Sequence, residues 1–202
     1  GNPCSRLLAA LGFASCLLAS PMPAPAQVFD FDNVVMLANR DIFSGYNDVW
    51  AFVGNNGHEY VIQGLTDGTA WWDILDPVHP VLVKVIPGPF SIWRDMAVQG
   101  NYAYVGTEGG GGIQIVSLTD PTNPTVVNTY TTTVSSLHNL KVHPTRPLLC
   151  VVGGVATLVN GGMQILDLTD PVNPVEVGKW DSRYIHDISF EGNLVHACLI
   201  NE

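Results

Sequence analysis

The chain has 202 residues, enough for one domain with a full core, and 47% of them are hydrophobic while only 13% are charged. With 20 Gly, 14 Pro and no collagen period, this is the profile of a turn-rich all-β protein, and it excludes a disordered chain. Acidic residues outnumber basic ones, giving a formal net charge of −10, and no basic stripe exists, which excludes nucleic acid as the expected partner.

Near its start the chain carries Arg6, an apolar run over residues 7–18, two prolines around Met22 and the small-x-small end Ala24-Pro25-Ala26. A basic residue, an apolar stretch too short to span a bilayer and small residues at a cleavage point describe a secretory signal peptide over residues 1–26. The string Phe13-Ala14-Ser15-Cys16 resembles a lipidation signal, but the apolar run continues past Cys16, and cleavage after Ala26 is the reading adopted. No transmembrane segment is predicted. The expected location is outside the cytoplasm: extracellular, cell-surface or periplasmic.

Residues 27–33 form a short leader, and residues 34–42 read as a lone strand of the kind that pairs with a last blade and closes a ring. The first repeat predicts strands over 48–53 and 59–65, joined across Asn55-Asn56-Gly57, then 70–74 and 81–86. The second predicts 95–98, 102–106, 113–118 and 125–130, and the third 139–142, 148–152, 163–168 and 175–180. A fourth begins with 187–190 and 194–200. Four strands per repeat make one blade, so residues 27–202 read as a partial β-propeller, with blades at about 47–87, 94–131 and 138–180 and a truncated one at 186–202. Closure typically takes four to eight blades, and about three and a half are present, so the sequence reads as a fragment of a longer protein.

The repeat is carried by one string. Residues 161–177 read GGMQILDLTDPVNPVEV, residues 111–127 read GGIQIVSLTDPTNPTVV, and residues 68–83 read GTAWWDILDPVHPVLV. In each, Gly starts an apolar strand that ends at Asp-Pro (Pro77, Pro121, Pro171), and a second proline follows three residues later (Pro80, Pro124, Pro174). Apolar residues fall on both parities of the strand, as expected of a sheet covered on both faces. The Asp of each turn is placed to accept backbone N–H groups two or three residues on, and Pro fixes φ for the turn.

Cys150 and Cys198 follow His138 and His186 at the same offset, so they point the same way in neighbouring blades. That disfavours a disulfide and predicts two small buried apolar residues. The four-glycine run 109–112 lacks the features of a phosphate loop and reads as a hairpin loop. His58, His79, His143 and His196 show no partner at ligand spacing, and Trp71 and Trp72 alternate faces on one strand.

One polar doublet recurs just before the first strand of each blade: Asn47-Asp48, Arg94-Asp95, His138-Asn139 and His186-Asp187. First strands line the central channel of a propeller, so the doublets are expected as a ring around one mouth, with Trp93 beside them as a stacking platform. Two readings stand side by side. Short polar groups at strand heads bond the backbone of the adjacent blade, or the ring binds a ligand such as a sugar, a metal ion or a small anion. A sheet spacing of about 10 Å would hold His138 and His186 too far apart for one zinc ion, and Arg94 in the ring also argues against a cation. No metal or other cofactor is therefore expected, and no residue is assigned a catalytic role.

These residues resemble the LVIVD-repeat proteins, and more closely the choice-of-anchor B family of exported microbial proteins. The resemblance is carried by Asn47-Asp48-Val49-Trp50, Gly68-Thr69-Ala70 with Asp73-Ile74, Pro87-Gly88-Pro89, Ser91-Ile92-Trp93-Arg94-Asp95, Gly100-Asn101-Tyr102-Ala103-Tyr104-Val105, His138-Asn139, His186-Asp187 and Asn201-Glu202. It spans roughly residues 34–202. It implies a secreted or surface-displayed β-propeller, often followed by one of several interchangeable C-terminal anchors, and it carries over no catalytic residue. The expectation is a noncatalytic binding or scaffold module that contacts a protein or glycan at the cell surface. The alternative is a hydrolase or lyase using His138, His186 and Asp187, and a purely structural array is a third reading.

Overall fold

The Asp-Pro turns set the frame of each sheet. Asp76, Asp120 and Asp170 each accept the N–H two residues on through Oδ1, from Val78 at 3.1 Å, Thr122 at 3.0 Å and Val172 at 3.0 Å. Their carbonyls accept the N–H three residues on, from His79, Asn123 and Asn173. One turn is thus built three times, and it is stiff before any packing is added.

A computed structural model describes residues 30–31 and 34–200; the predicted leader over 1–26 and the terminal Asn201-Glu202 lie outside the described residues. The chain divides into two compact units, residues 1–36 and 37–202. The first holds β1 (Asp30–Phe31) paired with β2 (Val34–Val35). The second begins its sheets with β3 (Tyr46–Val53), β4 (Glu59–Leu65), β5 (Gly68–Asp73) and β6 (Val81–Pro87), an antiparallel sheet in chain order. The next sheet is β7 (Arg94–Gln99), β8 (Tyr102–Thr107), β9 (Ile113–Ser117) and β10 (Thr125–Tyr130). Then come β11 (Val134–Ser136), β12 (Asn139–Val142), β13 (Leu148–Val152), β14 (Val155–Ala156), β15 (Met163–Asp167) and β16 (Val175–Trp180). Of these, β12, β13, β15 and β16 form the third sheet, while β11 pairs with β14. A hairpin of β17 (Asp187–Glu191) and β18 (Leu194–Cys198) follows. The protein is all-β, and each four-stranded antiparallel sheet is a propeller blade.

The second blade is covered on both faces by its neighbours. Ile62, Trp71 and Ile86 of the first sheet meet Met96, Ala103, Val105 and Val116 of the second. Tyr104, Ile113 and Ile115 on the opposite face of that sheet meet Leu140, Leu149, Val151 and Leu166 of the third. Cys150 and Val152 meet Ile185 and Ile188. Burying one such side chain contributes roughly 1.5–3 kcal/mol, so these layers hold the stack together. Trp71 and Trp72 do alternate: the first joins the layer between sheets one and two, and the second packs with Leu65, Ala70 and Phe43 on the other face.

Two expectations are corrected. Residues 36–42 form no strand, and Val35, Leu37 and Ile42 are exposed, because an extended segment gains ladder bonds only from an edge to pair with. Cys150 is buried, and burial pushes its thiol up to about 11, but Cys198 is exposed; both are free. The four outlying histidines join no metal-ligating cluster of three or more among the described residues; each makes an ordinary hydrogen bond, to Asp73 for His58, Asp76 for His79, the Gly192 carbonyl for His143 and Glu191 for His196. The strand pair β11–β14 carries no repeat signature and was not legible in the sequence.

Candidate functional site

Antiparallel pairing decides which residues share one end of the stack. Arg94 pairs with Thr107, so the start of β7 and the end of β8 lie together. The heads of β3, β7, β12 and β17 then surround a pocket of about 620 Å³. It is lined by all four doublets, Asn47-Asp48, Arg94-Asp95, His138-Asn139 and His186-Asp187, together with Trp93 and Lys141. A larger cleft of about 710 Å³ against Arg40, Tyr46, Gln63 and Trp72 gathers only Asn47 of these residues, and it lacks their convergent acids and imidazoles.

Much of the ring is tied into the fold. Asp95 is buried; its Oδ1 accepts the N–H of Met96 at 2.7 Å and its Oδ2 the N–H of Leu140 at 2.6 Å, joining the second sheet to the third. Burial, and then the hydrogen-bonded Asp48 carboxyl beside it, push the Asp95 carboxyl up to about 8. Asp48 and Asp187 each accept the N–H of the next residue, at 2.7 Å in both cases. Asn139 donates from Nδ2 to the His186 carbonyl at 2.9 Å, and Asn47 donates to the Leu65 and Ser91 carbonyls. Arg94 is buried, with Nε on the Leu65 carbonyl at 3.0 Å and Nη2 on the Pro89 carbonyl at 2.5 Å. Its guanidinium is held by these neutral carbonyls and keeps its positive charge at the mouth.

The imidazoles bring a correction at this site. His138 and His186 have ring centres only 4.3 Å apart, since long side chains at the heads of adjacent inner strands can lean towards one another across the channel mouth. Each backbone N–H is fixed on the neighbouring strand, His138 on the Val152 carbonyl and His186 on the Cys198 carbonyl. His138 Nδ1 donates to Glu108 Oε1 at 2.6 Å, and its ring also neighbours Trp93 at 5.9 Å and Tyr184 at 6.4 Å. A carboxylate only accepts, so this bond places the proton on Nδ1 and leaves the Nε2 lone pair free in the neutral ring.

Sequence reasoning missed Glu108, Lys141 and Tyr184. The signal for Glu108 was the hairpin itself, since the residue after β8 must return to the mouth where β7 began. Lys141 Nζ sits 2.9 Å from Asp187 Oδ1, so a half-buried acid and base of the ring are paired. Trp93 is 52% exposed although its backbone is held: its carbonyl accepts hydroxyl bonds from Ser91 at 2.7 Å and Thr107 at 2.9 Å. Phe90 and Ile92 are exposed on the same loop.

Residues 93–132 match a family model described as the LVIVD repeat, and no curated protein matches the chain. The matched segment starts at Trp93 and ends just after β10, so it coincides with the second sheet. The chain is an all-β protein of four-stranded propeller blades, and it carries an LVIVD repeat.

Proposed function

We propose that the protein is an exported or cell-surface β-propeller module that binds the end of a glycan, without catalysis, in the pocket at the strand heads. The observation that carries this reading is the pairing of a backbone-anchored, half-exposed Trp93 with carboxylates and carboxamides in one concave pocket. An aromatic face packs against the apolar face of a sugar ring, and acids and amides satisfy its hydroxyls. The concave shape suits a small polar group better than a flat protein surface. The leader-like residues 1–26 support export, and the resemblance to exported anchored proteins supports surface display.

Titration of the chain with a panel of soluble oligosaccharides, read by tryptophan fluorescence and calorimetry, tests the reading. At least one sugar is expected to bind one-to-one, and Trp93→Ala is expected to weaken it at least about tenfold, the loss of one stacking platform. Absence of any binding sugar, or equal binding by Trp93→Ala, would overturn it.

The hydrolase or lyase alternative is favoured by one contact, the Glu108–His138 hydrogen bond, which is how a general base is oriented. Asp187, the third residue of that reading, is held by Lys141 and the Ile188 N–H instead. Turnover on the same panel that disappears in His186→Ala would decide for the enzyme.

A further inference from the structure

We propose that His138 and His186 together hold a divalent transition-metal ion of the zinc class, with Glu108 orienting His138 from behind. The inference goes beyond glycan binding and does not rest on it.

Three observations converge. The two rings lie 4.3 Å apart, centre to centre, with no hydrogen bond between them, and neither His138 Nε2 nor the ring nitrogens of His186 have a hydrogen-bond partner among the described residues. Two imidazoles on one ion at a tetrahedral angle, with metal–nitrogen bonds of about 2.0–2.1 Å, place their ring centres roughly 5.2 Å apart. The rings must therefore part by about 1 Å to admit an ion, a shift within reach of side-chain rotation.

The second observation is the Glu108 bond to His138 Nδ1 at 2.6 Å. A ligating imidazole typically donates its other N–H to a carboxylate or carbonyl, which fixes the tautomer and aims the remaining lone pair at the metal. Here the tautomer is set in advance. The third is charge. Lys141 and Asp187 neutralise one another, and Asp48 and Glu108 stand against the one remaining cation, the Arg94 guanidinium held on backbone carbonyls. The excess is negative, which favours a bound cation over an anion.

No three His, Cys, Asp or Glu side chains form a closed cage among the described residues. The ion therefore takes two protein nitrogens and keeps its other positions for water or for oxygens of a bound molecule. Nitrogen ligands select the zinc–copper–nickel group over calcium or magnesium, which prefer oxygen.

The full chain, stripped with a chelator, is titrated with Zn²⁺ by calorimetry and with Cu²⁺ by electron paramagnetic resonance. One ion per chain is expected, with Cu²⁺ hyperfine structure from two imidazole nitrogens. His138→Ala and His186→Ala are each expected to weaken Zn²⁺ binding at least about tenfold, and Glu108→Gln about tenfold, the effect usual for an orienting partner. His79→Ala, at a 76% exposed ring paired with Asp76, is expected to leave binding unchanged. A titration without a one-to-one step, a Cu²⁺ signal from one nitrogen or none, or full Zn²⁺ affinity in folded His186→Ala would overturn the proposal. The Cu²⁺ spectrum of the unaltered chain needs no variant, so loss of folding in a variant cannot hide the outcome. Trp93→Ala separates this site from the glycan reading, since it removes sugar binding and leaves Zn²⁺ binding intact.

Discussion

Asp95 shows how one side chain serves both packing and site. Its two oxygens take N–H groups from two different blades, and its buried carboxyl leans on that of Asp48. The raised folded value, about 8, means that the folded state holds the proton more tightly than the unfolded chain does. This contribution to stability is fully present below about pH 4, the ordinary carboxyl value, and is lost as pH rises through about 8. Chemical denaturation of the unaltered chain across pH 4–9 is therefore expected to show stability falling over that window. In Asp95→Asn the fall should shrink, although absolute stability can drop by about 1–3 kcal/mol, because an amide has one acceptor oxygen where the carboxyl had two. An unchanged slope would show that Asp95 does not hold this proton. The doublets themselves were legible from spacing. The direction of each side chain was not: Arg94 and His138 occupy equivalent positions, yet one is drawn to carbonyls of the first sheet and its neighbouring loop, and the other faces its twin.

At the scale of the element, the repeat string specified more than its strands. The same register shift breaks the outermost pair of each blade, skipping Val83, Val127 and Val177, each three residues after the second proline. These β-bulges bend the outer strand of each sheet at one place. The glycine at the head of each third strand has an equally local reason. A Cβ on Gly68, Gly112 or Gly162 would stand 2.2, 2.2 or 2.1 Å from the carbonyl oxygen of Ile86, Tyr130 or Trp180, so the outer strand packs against bare backbone. Gly162→Ala is expected to destabilise the chain by about 2 kcal/mol or more, measured as a lowered denaturation midpoint; Gly57→Ala, whose Cβ meets nothing within 4 Å, controls for backbone strain alone, since its φ is +82°. Strand limits were legible because alternation and turn residues act locally. The pair β11–β14 was not, since two short segments 20 residues apart find each other only through tertiary packing.

At the scale of the molecule, apolar layers alternate with sheets, and each blade leans chiefly on its sequence neighbours. That arrangement was legible from apolar residues on both strand parities. The closeness of His138 and His186 was not, because it depends on side-chain direction and tertiary placement and not on spacing along the chain. Among the described residues no helix is long and apolar enough to cross a membrane. The export reading belongs to this scale too: expression of the chain with its own leader is expected to yield a product whose N-terminal sequence begins at Gln27, and retention of residues 1–26 would refute it.

The doublets occupy a backbone position common to every blade, and the aliphatic layers lie behind them. Most doublet members also brace the frame: Asn47, Arg94, Asp95 and Asn139 each hold backbone groups outside their own strand. Among the described residues the His186 ring carries no such tie, so its replacement changes the vestibule at the least cost to the interior.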